Sequence, residues 1–225
     1  MSKIKENCAL RGVVFDFDGV IVDSHPVHRR AWRKFLESMG RTVSEEELEF
    51  VLDGRKREDI LRHFLGDLDP ELMISYGHRK EQFFRDEAGN VVTVNGLLCF
   101  LEGLEDAGVA IAIASSGSRS RVNFLLDRLD LRKHFQIVVT GDEVKKGKPD
   151  PSIFLSAAQA LQKDPAELLA FEDAVSGVQS AKAARMKCVG IAHPDRASLL
   201  LDAGADDVVP DFCSLSYSKL LELFV

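Results

Sequence analysis

The chain has 225 residues, 45% of them hydrophobic and 29% charged, a balance that fits a folded globular protein and excludes a disordered or fibrous one. Lys and Arg total 29 against 36 Asp and Glu, a formal charge of −7, so no general basic surface is on offer and nucleic acid is not an expected partner. The longest aliphatic run, Val109 to Ala114, falls far short of the ~20 residues that cross a bilayer, so a membrane is not an expected partner either.

The opening stretch Met1 to Cys8 lacks the apolar core of a secretory signal and reaches Arg11 before one can develop, which points to a cytoplasmic protein. Cys8, Cys99, Cys188 and Cys213 are widely spaced with no CxxC pair, so they read as reduced structural thiols rather than as a zinc site or a disulfide framework.

Gly12-Val13-Val14-Phe15-Asp16-Phe17 is a short β-branched and aromatic run that ends in acidic residues and Gly19, the pattern of a buried strand followed by a turn. From about Ser24 to Ala88 the chain is charged, carries a 3.6-residue periodicity and holds no convincing strand. The spacing predicts an all-helical insert with helices near 26–39, 44–51, 57–65 and 70–87, the first starting at Pro26 and stopping at Gly40, the second capped by Ser44 with Glu47 three residues on. Trp32, Phe35 and Leu36 at helical spacing read as the core of that insert. Residues 91–96 lead back to apolar runs at Val109–Ala114, Gln136–Thr140, Leu168–Phe171, Lys187–Ile191 and Asp207–Val209, separated by helical segments near 96–107, 118–131, 151–162, 174–186 and 195–203. Strands alternating with helices of this length predict an α/β fold, a doubly wound parallel sheet, with its site beyond the carboxyl ends of the strands. The expected division is core over 1–23, helical cap over 24–91 and core again over 92–225.

Four polar motifs stand where predicted strands end. Asp16 and Asp18, two residues apart at the end of a hydrophobic strand, need something to compensate their burial, and a divalent cation is the usual answer for clustered carboxylates, although acidic residues also cap turns. Ser115-Ser116-Gly117 offers hydroxyls and backbone N–H groups at a coming helix N-terminus, a cradle for phosphate oxygens or a plain N-cap. Lys148 precedes a proline-stiffened turn, and Glu172-Asp173 repeats the carboxylate pair after another wholly apolar run. The stretch from Gly141 to Lys148 is no P-loop, because its glycine spacing is one residue too long and Pro149 stands where Ser or Thr is needed.

In that order the motifs resemble the haloacid dehalogenase superfamily, and the insert after the first of them is similar to the small cap of its β-phosphoglucomutase and phosphoglycolate phosphatase branch. The resemblance implies a sheet ordered 5-4-1-2-3, with Asp16 as nucleophile, Mg²⁺ held by Asp16, Asp173 and the backbone carbonyl of Asp18 with Glu172 close by, and Ser115 and Lys148 on the phosphoryl group. Ser116 joins Ser115 in that cradle. With an ordinary pKa of about 3.9, Asp16 is ionised at neutral pH, needs no base to attack phosphorus and would form an aspartyl-phosphate. Asp18 would protonate the leaving alkoxide and then accept a proton from water; dehalogenating relatives lack it. One departure is Val94-Asn95-Gly96, where relatives commonly have Pro-Gly.

His28 and Arg57 match positions that face the substrate in caps of this branch, the alternative being a solvated helix start. The basic residues around them, with seven acidic neighbours between Glu45 and Asp59, read as a mixed solvated surface. The expected function is a phosphatase for a small phosphorylated metabolite, a monomer or small homo-oligomer. The alternatives are a sugar phosphomutase and a non-catalytic protein of the same fold. Mutases carry a lysine before the glycine that matches Gly54; here Asp53 stands there, expected to repel a second phosphate and so to favour hydrolysis.

Overall fold

The computed structural model describes residues 10–224. Cys8 and the Met1–Cys8 stretch read above lie outside them. Six strands, β1 (Gly12–Phe15), β2 (Ala110–Ser115), β3 (Ile137–Thr140), β4 (Leu168–Glu172), β5 (Lys187–Ile191) and β6 (Asp207–Val209), form one sheet in the order β3-β2-β1-β4-β5-β6. Every pairing is parallel. The implied order is thus observed, with β6 added beyond β5. The order reverses on either side of β1, where Phe15 pairs with Ile113 on one side and Phe171 on the other, so the crevice of an open α/β sheet opens at the residues that follow Phe15.

Side chains of a strand alternate between faces, and both faces of β1 are buried. Val13 and Phe15 enter a cluster with Phe100, Phe135, Phe171 and Phe212, while Val14 enters a second one with Phe154, Val178 and Leu200. The helices α5 (Leu97–Asp106), α6 (Arg119–Arg128) and α10 (Tyr217–Leu221) cover the first face; α7 (Ser152–Leu161), α8 (Val175–Ala183) and α9 (Pro194–Asp202) cover the second. The short α10 has no counterpart among the predicted helices; it is capped by Ser216 and buries Leu220.

The insert is helical, as its periodicity predicts: α1 (His25–Glu37), α2 (Glu45–Glu49), α3 (Arg57–Leu65) and α4 (Pro70–Glu87). Ser44 and Glu47 form the expected capping box. The predicted helix at 44–51 stops at Glu49 and tightens into a 3₁₀ turn over Phe50–Leu52, which turns Val51 and Leu52 onto Trp32, Phe35, Leu36, Leu61 and Phe64 in a separate apolar cluster. Trp32 is 1% exposed, so its place in the cap core is as expected. The two segments joining cap to core run side by side: Val22 bridges Thr93, Asp23 N donates to Val92 O at 2.9 Å and Val94 N to Ile21 O at 3.1 Å.

Candidate active site

Asp16 follows β1 with its backbone N still bonded to Phe171 O at 2.9 Å, so its carboxylate is fixed by the sheet. Lys148 Nζ sits between Asp16 Oδ1 and Glu172 Oε1, ion-paired to both, and 3.4 Å from Ala114 O. The lysine is 2% exposed. Burial alone would lower its pKa; Asp16 and Glu172 outweigh that and raise it, so it stays an ammonium. Burial pushes the carboxyls of Asp16 and Glu172 up, against the pull of Lys148 and with the push of Asp173 on both. Glu172 is locked by N–H donors from Asp173 at 3.0 Å and Ala174 at 3.2 Å, and a Cβ on Gly177 would stand 2.0 Å from its Cδ. Gly177 is there for that close approach.

Asp16, Glu172 and Asp173 bring their carboxylate oxygens within 4.8 Å of one another. Asp173 Oδ2 is buried and approached by His25 Nε2 at 3.1 Å, but receives no well-aligned hydrogen bond. A Cβ on Gly19, whose φ is +80°, would stand 2.3 Å from that same oxygen. Three crowded carboxylates with one orphaned oxygen form a hard-oxygen donor set that fits a divalent cation such as Mg²⁺.

Asp18 faces elsewhere. Its Oδ1 and Oδ2 accept from Arg121 Nη1 at 2.5 Å and Nη2 at 2.7 Å, and Oδ1 also accepts from Ser24 Oγ at 2.6 Å. Burial would raise this carboxyl, but Arg121 and then His28 hold it well below the usual carboxylate range. His28 Nε2 lies 3.1 Å from Asp18 Oδ1 and its Nδ1 lies 3.3 Å from Lys80 Nζ. Burial, then the Lys80 charge, push the imidazole down to about 3. It is therefore neutral, with Nδ1 beside Lys80 and Nε2 between the Asp18 carboxylate and Arg121 Nη1, the latter at 3.0 Å. Lys80, 3% exposed, is itself pushed down to about 8, burial being the first cause.

Arg121, Lys80 and Glu81 have no counterpart in the sequence reading. Charged residues on amphipathic helices read as solvent-facing, and these three are buried instead. The available signal was Gly117: a Cβ there would stand 2.0 Å from Arg121 Nη2, so the glycine opens the path by which a residue in the first turn of α6 reaches Asp18. Further along α1 the mixed solvated surface is as expected, with Arg29 paired to Glu49, Arg33 to Glu45, and Lys34 to Glu87.

Ser115 is fully buried and its Oγ accepts from Gly117 N at 3.0 Å. Ser116 Oγ donates to Gly54 O of the cap at 2.5 Å. Arg57 and His28 both line the cleft between cap and core, together with Asp16, Asp18, Lys80 and Arg121. Arg57 Nη2 pairs with Glu58 Oε1 at 2.8 Å, and its buried Nε has no partner. Asp53 is not a bare charge turned on the substrate: Oδ2 pairs with Arg55 at 3.0 Å and Oδ1 accepts from Ser176 N at 3.2 Å. Repulsion of a second phosphate by Asp53, the expectation from the sequence, is therefore not an argument for hydrolysis, because that charge is already matched.

The sequence matches the family described as haloacid dehalogenase-like hydrolase over residues 10–185. It is 32% identical over 201 residues to a phosphorylated carbohydrates phosphatase of Thermotoga maritima, covering 87% of this chain and 92% of that one. It is 31% identical over 241 aligned positions to a β-phosphoglucomutase of Mycobacterium bovis, covering 92% and 91%. Its structure is similar to that of a family IA, variant 3 hydrolase from Entamoeba histolytica, with a TM-score of 0.85, 26% identity and coverage of 95% and 99%.

Proposed function

Because the chain belongs to the haloacid dehalogenase-like hydrolases, we propose that it is a Mg²⁺-dependent phosphatase of a small phosphorylated sugar or similar metabolite, working through an aspartyl-phosphate on Asp16. The observation that carries this reading is the nucleophile candidate itself: Asp16 is fixed at the switch point of the sheet, beside the Lys148 ammonium and two further carboxylates. The phosphatases among the relatives support it. The domain division at 23/24 and 91/92, where the two linking segments pair, belongs to the same reading.

The chemistry follows from the residues. Asp16 Oδ attacks phosphorus and the bond to the leaving oxygen breaks, the alkoxide taking a proton from Asp18. Water then attacks phosphorus, gives its proton to Asp18 and releases inorganic phosphate, which restores the Asp16 carboxylate. A carboxylate nearing a phosphate dianion is repelled, so positive charge must stand where the equatorial oxygens gather. Lys148 supplies one such charge, and a divalent cation on Asp16, Asp173 and the Asp18 carbonyl, with Glu172 beside them, would neutralise the rest. Ser115 and Ser116 would orient the phosphoryl oxygens. In its clasp with Arg121, Asp18 is in the ionised state that accepts a proton from water; its acid step requires that clasp to loosen. The cap excludes bulk water from the cleft.

The test is a screen of phosphorylated metabolites with inorganic phosphate and isomerised product both measured. Faster conversion of β-glucose 1-phosphate to glucose 6-phosphate than release of phosphate would replace this reading with the phosphomutase one, and no turnover of any aryl phosphate with Mg²⁺ present would leave a non-catalytic protein. Two variants refine the roles. Asp173→Asn is expected to weaken Mg²⁺ binding at least about tenfold and Asp18→Asn much less, because the Asp18 side chain is committed to Arg121 and only its carbonyl is assigned to the metal; equal losses by calorimetric titration would reverse that assignment. Arg57→Ala is expected to lower kcat/KM for the natural substrate about ten- to a hundredfold more than for p-nitrophenyl phosphate, which has no polar group to pair with a guanidinium. An equal fall on both substrates would remove Arg57 from substrate selection.

A further inference from the structure

Helix α8 begins directly after Glu172 and Asp173, and the residue at its N-cap position is Ala174, which has no side-chain acceptor for the free N–H groups of the first turn. The acceptor comes from the cap. Asp53 Oδ1 receives the Ser176 N–H at 3.2 Å, and Ser176 Oγ donates back to the Asp53 carbonyl. A carboxylate at this position also faces the positive end of the helix dipole. We propose that Asp53 is a positioning residue which caps α8 across the domain boundary and thereby holds the cap docked over Asp16.

The neighbours of Asp53 extend the same contact. Gly54, at φ +67°, presents its carbonyl to Ser116 Oγ at 2.5 Å, and a Cβ there would stand 3.4 Å from Ala174 Cβ and 3.5 Å from Lys148 Cδ. Lys56 Nζ donates to Val144 O at 2.8 Å, and its methylenes lie against Gly147. The loop of residues 53–56 thus rests on the loops that carry Ser115, Lys148 and Asp173, and Asp53 supplies its contact with the last of these. Loss of a side-chain cap shifts an equilibrium by about three- to thirtyfold, and Asn caps as well as Asp does.

Asp53→Ala, Asp53→Asn and the wild type are compared in two ways, of which only the kinetic one rests on the phosphatase reading. In the first, kcat/KM is measured on p-nitrophenyl phosphate and on a sugar bisphosphate. The expected result is a fall of about three- to thirtyfold for Ala, by the same factor on both substrates, with Asn close to wild type. Equal effects of Ala and Asn, or a selective gain on the bisphosphate, would overturn the proposal, since the Asp53 charge would then act on substrate. In the second, limited tryptic cleavage after Arg55 and Lys56 is followed without substrate at matched thermal stability. The rate is expected to rise by a similar factor for Ala, to stay near wild type for Asn, and to rise for Ser176→Ala, which removes the reciprocal bond. Unchanged cleavage in Asp53→Ala sinks the idea. If the wild type hydrolyses neither phosphate, the phosphatase reading fails and the cleavage rates still decide the role of Asp53.

Discussion

Replacing Asp16 with Asn is expected to abolish phosphate release, by about four orders of magnitude or more, while the protein still folds. The amide keeps nearly the volume of the carboxylate but is no nucleophile toward phosphorus. Lys148 retains its bond to Glu172 in the variant, so the buried ammonium is not orphaned. Stability supplies a second reading with a definite sign. Burial raises the Asp16 carboxyl above its ordinary value, so the folded state binds its proton more tightly than the unfolded state does. Stability from this group is present at pH values below the ordinary carboxylate range and is lost as pH rises from there through the raised value. In chelator-treated protein the melting temperature of wild type relative to Asp16→Asn should therefore fall as pH rises, since the remaining groups are common to both. Residual activity above about a hundredth of wild type in well-folded variant would remove Asp16 from the nucleophile's role.

Arg121→Met should produce a large loss of stability. It leaves the Asp18 carboxylate with Ser24 and a neutral imidazole but no counter-charge, and breaking one side of a buried ion pair costs about 3–5 kcal/mol. Asp18 keeps 19% side-chain exposure, which places the effect toward the lower end. For a chain of this size the melting temperature should fall by roughly 6–15 °C at neutral pH. The sign of the pH dependence is opposite to that of Asp16. A carboxyl held below its ordinary value stabilises the fold above about pH 4 and loses that contribution as pH falls through its lowered value. The gap between variant and wild type should therefore narrow in acid, and Asp18→Asn in the Arg121→Met background should recover part of it. Melting temperatures within about 2 °C at neutral pH would show that Asp18 finds enough solvent to do without the guanidinium.

The strands and the core motifs were legible because burial on both faces leaves continuous apolar runs, and a carboxylate, serine or lysine that ends such a run stands out. Asp16, Ser115 and Glu172 are read directly in this way. The cap helices were legible from their caps and period. Arg121, Lys80 and Glu81 were not, since a charged residue on a helix reads as solvated unless the position of the facing domain is known, and that position is set by contacts between residues more than a hundred apart, such as Asp53 with Ser176. The partner of Asp53 on α8 was hidden for the same reason: the charge and the nearby Arg55 are visible in the chain, whereas Ser176 comes from the fold. The helix α10 escaped because five residues carry too little periodicity to register.

The pairing of Val22 with Thr93 means that the inserted helices leave and rejoin the core within one strand spacing, roughly 4.8 Å. To the sheet, everything between those two residues is a loop whose ends already touch, and the entropy of closing such a loop grows only by about 0.6 kcal/mol for each doubling of its length. The insert also buries its own apolar cluster around Trp32 and Phe35. An exchange of this cassette for one of another length or lining therefore makes little demand on the folding of the sheet, and Asp16 after β1, Ser115 on β2 and Glu172 on β4 stay where they are. The lining of the cleft can change in a chain built this way without refolding the sheet, provided that the new cassette again supplies the contact that Asp53 makes with α8.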